Sequence, residues 1–149
     1  YATPGGYFLT LCTAQRTPFF GHIEDGQLRA SALGELVARQ LLDAVERYQS
    51  LILDVWVIMP NHLHSILLAL ESDASPSASL PNMSSVMARF KACSTRESRR
   101  LGLLEPSGEL WQRGFHDHVL RSENDLAEAR EYVAQNPAKW EMDELFESS

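Results

Sequence analysis

The sequence is poor in several things, and each shortage excludes something. It has two cysteines, Cys12 and Cys93, and no CxxC pair. They read as free thiols in a reducing compartment, with the cytoplasm as the default. No apolar run approaches the ~20 residues that a membrane-spanning helix needs. The opening segment, YATPGGYFLT, is strand-like and lacks the basic-apolar-small pattern of a secretory leader. Positive charge is scarce too: the net charge is −7 at pH 7, which does not suit a nucleic-acid binder. The shortage is uneven, however. Arg89, Lys91, Arg96, Arg99, Arg100, Arg113 and Arg121 face only Glu97, Glu105, Glu109 and Asp117 over the same stretch, while residues 123–147 are strongly acidic. A basic patch on an acidic body still binds a polyanion, in a salt-sensitive way. Solvated arginines on a helix surface are the plain alternative.

The 149 residues, 44% hydrophobic and 22% charged, suit one globular domain over 1–149 with a real core. GYFLTLCT alternates and is rich in aromatic and β-branched residues, which predicts a strand. RTPFFGHIEDGQ follows with turn signals at Pro18, Gly21 and Asp25-Gly26. Leu33, Leu36, Val37, Leu41, Ala44 and Val45 recur at helical spacing, predicting a helix over 31–48 that Ser31 could cap. SLILDVWVIM and HLHSILLAL are two strands joined at Pro60-Asn61, hence an antiparallel hairpin. ESDASPSASLPN reads as a polar loop, and a helix is predicted over 83–100. A further strand is expected over 115–121, then a helix over 125–136 that Ser122 or Asn124 could cap and Pro137 ends. The order β-α-β-β-α-β is an α+β, ferredoxin-like pattern with an antiparallel sheet, to which a C-terminal helix is added.

The segment MPNHLHSIL holds the first chemical signal. Side chains alternate across a strand, so His62 and His64 share one face with Ile66 and Leu68. Two neutral imidazoles converging this way can chelate a metal; a surface pair at a strand end is the plainer reading. The last helix supplies partners. Tyr132 and Asn136 stand at i and i+4, beside the apolar stripe of Leu126, Ala129 and Val133. A half-buried tyrosine and a helix-end asparagine would look the same.

MPNHLHSIL, WQRGFHDHVLR and REYVAQNP, in this order and after YFLTLCT and FFGHIEDG, resemble the HUH-class single-tyrosine transposases of bacterial insertion sequences. The likeness is greatest to those called REP-associated tyrosine transposases, and it spans about Tyr1 to Trp140. The resemblance implies that His62 and His64 are metal ligands around a hydrophobic Leu63, that Tyr132 is the nucleophile, and that Asn136 is the third, helix-borne ligand. It also implies a bacterial, cytoplasmic, nucleoid-associated enzyme that cuts and rejoins single-stranded DNA with Mg²⁺ or Mn²⁺. The break would pass through a covalent 5′-phosphotyrosine, at hairpin or repetitive palindromic elements. Some members are homodimers whose tyrosine helix reaches to the partner, so cis and trans both stand open.

The chemistry suits the residues. Two imidazoles and an amide are neutral ligands, so a bound cation keeps its full charge for a phosphate. Imidazole favours ions softer than Mg²⁺, which makes Mn²⁺ the better fit in vitro. A phosphotyrosine conserves the energy of the cut ester, which accords with a chain that has no GxxxxGKS/T phosphate loop. Asp117 and His118 are candidates to support the site from behind its ligands. Arg16, Arg89, Lys91, Arg113 and Arg121 are candidates for phosphate contacts, and Trp111 and Phe115 for base stacking, with core packing as the alternative for the rings. His22 and His116 receive no role. Two rivals remain. One is a metal-dependent hydrolase without a covalent intermediate, drawing a carboxylate from Asp54. The other is a domesticated, non-catalytic module that binds hairpin DNA. A paired HxT/S phosphoesterase is excluded, since neither histidine has Ser or Thr two residues later.

Overall fold

The computed structural model describes residues 5–70 and 82–138. The expected polar loop after Leu70 falls almost wholly outside them. The elements are β1 (Gly6–Cys12), a 3₁₀ turn (Ala14–Arg16), β2 (Gly21–Glu24), β3 (Gln27–Ala30), α1 (Ala32–Glu46), β4 (Leu51–Met59), β5 (His62–Ala69), α2 (Met83–Arg100), β6 (His116–Leu120) and α3 (Glu123–Gln135). The main sheet has the order β4-β5-β1-β6 with every pair antiparallel. That is the ferredoxin-like arrangement expected from the element order.

One element was not expected. The segment after Gly21 is a separate two-stranded hairpin, β2–β3, and not only a turn. Asp25 and Gly26 both have positive φ, 53° and 73°, the requirement of the tight hairpin turn that Asp-Gly favours. The strands beside it are four residues long and mostly exposed, too short for an alternating pattern to stand out from a turn. At the chain's last helix, Ser122 is the cap, its side chain accepting from Asp125 N at 3.1 Å. The helix therefore starts two residues earlier than expected, and Asn124 lies inside it.

The sheet is covered on both faces. Leu9, Leu11, Leu63 and Leu67 pack with Leu36, Val37 and Leu41 of α1 and Val86, Met87 and Phe90 of α2. On the opposite face Ile66 and Leu120 meet Leu126, Ala129 and Val133 of α3, with Phe8, Val55, Val57 and Leu68 around them. Strand β5 is consequently buried on both sides along nearly its whole length. An Arg130–Asp54 pair, with Nε–Oδ2 at 2.7 Å and Nη2–Oδ1 at 2.8 Å, ties α3 to the bulge in β4. Burying each of Leu126 and Val133 contributes about 1.5–3 kcal/mol. A partly exposed ion pair contributes about 0.2–1 kcal/mol, so apolar packing seats α3 and the pair sets its rotation.

Helix α1 begins at a close approach. Ser31 Oγ donates to Phe19 O at 2.6 Å and accepts from Gly34 N at 3.0 Å. A Cβ on Gly34 would lie 2.3 Å from Phe20 O. Alanine is the better helix former by about 1 kcal/mol, but a backbone oxygen cannot rotate aside. Gly34→Ala is therefore expected to lower stability by about 1–3 kcal/mol in urea unfolding; an unchanged or raised midpoint would refute the close approach.

Candidate active site

The register of the sheet sets the two histidines. His62 pairs with Cys12 and Met59, and His64 with Thr10 and Val57. Alternation then aims both imidazoles at the face that α3 covers. They are almost wholly buried, at 0% and 3% exposure, with ring centroids 4.7 Å apart.

Helix α3 crosses this face so that its last turn meets them. The Tyr132 ring lies edge-on to His64 at 5.4 Å and to Phe8 at 5.8 Å. Phe8 in turn stacks on His64 at 5.3 Å. Tyr132 is 48% exposed, so one side of its ring touches the site and the other faces solvent. One turn on, Asn136 is buried at the helix C-cap, and its Nδ2 donates to Tyr132 O at 3.1 Å. That bond leaves its buried Oδ1 on the side of His62, with which the amide interacts.

The far nitrogens of the two rings are held by residues that the sequence reading did not single out. His62 Nδ1 lies 2.8 Å from Asn61 Oδ1. An amide oxygen only accepts, so Nδ1 carries the proton and Nε2 carries the lone pair. His64 Nδ1 lies 2.8 Å from Thr10 Oγ1. Asn61 had been visible only as a turn residue. Thr10 sits on another strand, and nothing but register connects it with His64.

Burial pushes the His62 pKa down from 6.5 to about 4, against an upward pull from Asn136; the Arg16 guanidinium adds to the depression. The ring is thus neutral near pH 7, as a metal ligand must be. Two imidazoles and an amide oxygen make a neutral donor set that fits a divalent ion of borderline softness. Among the described residues there is no metal-holding group of three or more His, Cys, Asp or Glu side chains.

The other expected residues are scattered. Asp117 pairs with Leu9, so it points to the α1/α2 face, away from the histidines; alternation along β6 is the reason. His118 pairs with Phe8 and shares the α3 face, but it is exposed and Phe8 stands between it and His64. His116 is level with Thr10 and His64, also exposed. Trp111 is 8% exposed and packs on Phe20 and Phe90. Its Nε1 donates to Ser94 Oγ at 2.9 Å, so it is a core ring, with only its edge reaching the groove beside α2. Phe115 is a partly buried ring against the same core. Lys91 Nζ donates to Gln112 O at 2.7 Å and also to Gly114 O. Arg89, Arg113 and Arg121 are exposed. Both carboxylate oxygens of Asp54 accept from Arg130, which removes it as the carboxylate of a hydrolase.

No protein-family model matches the chain. A Haemophilus influenzae protein of uncharacterised function is 30% identical over 161 aligned positions, covering 98% of this chain and 87% of that protein. A second protein of that species, named as a REP-associated tyrosine transposase, is 26% identical over 82 residues, 55% of this chain and 47% of its own length. Among solved structures, a REP-associated tyrosine transposase bound to a REP hairpin matches with a TM-score of 0.65 and 20% identity, covering 94% of this chain and 70% of that one. A Deinococcus radiodurans protein described as a transposase matches with a TM-score of 0.57 and 20% identity, over 87% and 89% of the two chains. The fold is therefore that of the tyrosine transposases. The chain belongs to one family with the uncharacterised Haemophilus influenzae protein, and it is similar to REP-associated tyrosine transposases in sequence and in fold.

The depressed pKa of His62 has a consequence for stability. Folding favours the neutral ring, so the contribution is complete above about pH 6.5 and is lost as pH falls toward 4. The loss reaches roughly 3 kcal/mol at the lower end. Urea unfolding in the presence of a chelator is expected to show this decline, and His62→Gln to flatten it. An undiminished decline in the variant would place its origin elsewhere.

Proposed function

We propose that this protein cuts and rejoins single-stranded DNA through a covalent link between Tyr132 and a 5′-phosphate. The observation that carries the reading is the meeting of α3 with β5: Tyr132 lies against His64, and Asn136 interacts with His62. All four residues meet within one chain, so the reaction is written in cis.

His62 and His64, through Nε2, and Asn136, through Oδ1, would hold a divalent ion, Mg²⁺ or Mn²⁺. When bound, such an ion supplies positive charge to the phosphate under attack and helps fix its orientation. The protein's own groups do the rest. Asn61 and Thr10 orient the two rings through Nδ1, which leaves Nε2 of each as the nitrogen for the ion. The phenol of Tyr132 attacks phosphorus, the bond to the 3′-oxygen breaks, and the departing strand leaves as a free 3′-OH. The phenol proton passes to solvent, which the exposed side of Tyr132 admits. The tyrosyl phosphodiester keeps the energy of the cut bond, so another 3′-OH can attack it and restore a strand without ATP. Hairpin DNA is the favoured substrate class, on the ground that a solved structure with this fold belongs to a protein bound to a REP hairpin.

Labelled single-stranded hairpin DNA from a selected pool, incubated with the protein and Mn²⁺, is expected to give a covalent adduct on a denaturing gel. Tyr132→Phe abolishes it, and His62→Ala and His64→Ala reduce it below detection. A nick without an adduct would indicate a hydrolase, and binding without any cleavage would indicate a non-catalytic hairpin-binding module. Asn61→Ala, which removes the orienting bond, is expected to weaken Mn²⁺ binding by about 10–100-fold in calorimetric titration. Unchanged affinity would mean that Asn61 does not set the His62 ring.

A further inference from the structure

A second feature lies across the end of the sheet from the histidines. An open groove of about 720 Å³ runs between α2 and the segment leading to β6, lined among others by Gln15, Lys91, Arg96, Arg99, Glu109 and Arg113. Four of these side chains are cations and one is an acid, on a protein whose net charge is −7. None of the four forms a salt bridge to a described carboxylate. Lys91 is fastened to the carbonyl oxygens of Gln112 and Gly114, and Arg99 to that of Gly108 at 2.6 Å. Carbonyl partners hold these side chains in place without cancelling their charge. Glu97, the one acid on α2, is occupied by Arg100.

The groove is joined to the histidine site by the 3₁₀ turn. Ala14 and Gln15 line the groove, and the turn follows directly on Cys12, which pairs with His62, and Thr13, whose N–H donates to Asn61 O at 3.0 Å. Gln15 and Arg16 both have φ of 56°, a left-handed conformation that residues other than glycine rarely adopt. Surrounding structure holds them there. Thr13, fully buried, places Oγ1 2.8 Å from Thr17 O and 3.1 Å from Asn61 O, and Ala14 N donates to Leu110 O at 2.9 Å. The groove wall is itself continued from β1, through a Thr13–Trp111 bridge and Gln112 N donating to Cys12 O. The turn is thus held in an uncommon conformation between the basic groove and the histidine site.

We infer that this groove is a binding site for the phosphate backbone of the single strand flanking the cut, which passes over the Ala14–Arg16 turn into the cleft between α2 and residues 109–113. The inference rests on the proposed activity for its direction but has its own readout. Four cations against one lining acid suit repeated phosphates better than one small anion, because they are spread along a cleft and none is enclosed. Each phosphate contact releases counterions, so affinity should fall steeply with salt.

The test is fluorescence anisotropy of labelled oligo(dT) with the full chain across a salt series. R96Q/R113Q is expected to weaken binding and to lower the slope of log K against log salt by about 1.4, about 0.7 for each cation lost from a single-strand site. R29Q/R39Q, the same loss of charge on exposed residues of β3 and α1, is expected to leave the slope as in the wild type. An unchanged slope in R96Q/R113Q, or an equal loss in R29Q/R39Q, overturns the groove. Circular dichroism melting establishes that each variant is folded, and the single variants R96Q and R113Q stand in for a double that is not. The tyrosine-adduct assay on wild-type protein is scored separately: its failure would sink the proposed reaction, whereas the salt slope decides the groove.

Discussion

The packing of α3 on the sheet is the constraint on which the site depends. Leu126, Ala129 and Val133 fill the apolar face presented by Ile66, Leu68 and Leu120, and the bidentate Arg130–Asp54 pair limits how the helix can turn. With that orientation set, helical geometry leaves little choice. Tyr132 and Asn136 lie one turn apart on the flank nearest the start of β5, and the two imidazoles project there. Two ordinary periodicities, one of the strand and one of the helix, produce a convergence of four polar side chains that neither element contains.

The same packing explains the mixed solvation of the site. His62, His64 and Asn136 are removed from water, which keeps His62 neutral. Tyr132 keeps one side in solvent. Under the proposed reaction, metal-holding side chains gain from being dry, since desolvation disfavours protonation that would compete with a cation. Under the same reaction, a tyrosine that must meet a long polymer gains from being accessible. The boundary between dry and wet falls within one helical turn, between residues 132 and 136.

Much of this was legible in the residues. Alternation in β1, β4 and β5 and the spacing of leucines in α1 were strong enough to give the element order, and the element order implied the sheet. The short hairpin β2–β3 escaped because its strands are mostly exposed and too short for alternation to stand out. His62, His64, Tyr132 and Asn136 stood out as a set through motif and family likeness. Thr10 and Asn61 did not, since a threonine in a strand and an asparagine in a turn are common, and only pairing register makes them partners of the rings. Trp111 could be read as a base-stacking ring or a core ring; its buried position beside Phe20 and Phe90 decided for the core.

By itself the sequence determined which faces each element would have and which donors each face would carry, because those follow from periods of two and 3.6 along a chain. It could also show that basic residues gather between 89 and 121. The tertiary structure alone decided what those faces meet. It placed α3 on the face opposite α1 and α2, aimed Asp117 away from the histidines and tied Asp54 to Arg130. It brought Arg96 and Arg113 into one cleft that ends at a strained turn beside His62. The reason is that these relations join residues far apart in the chain, through burial and register, quantities that no local pattern encodes.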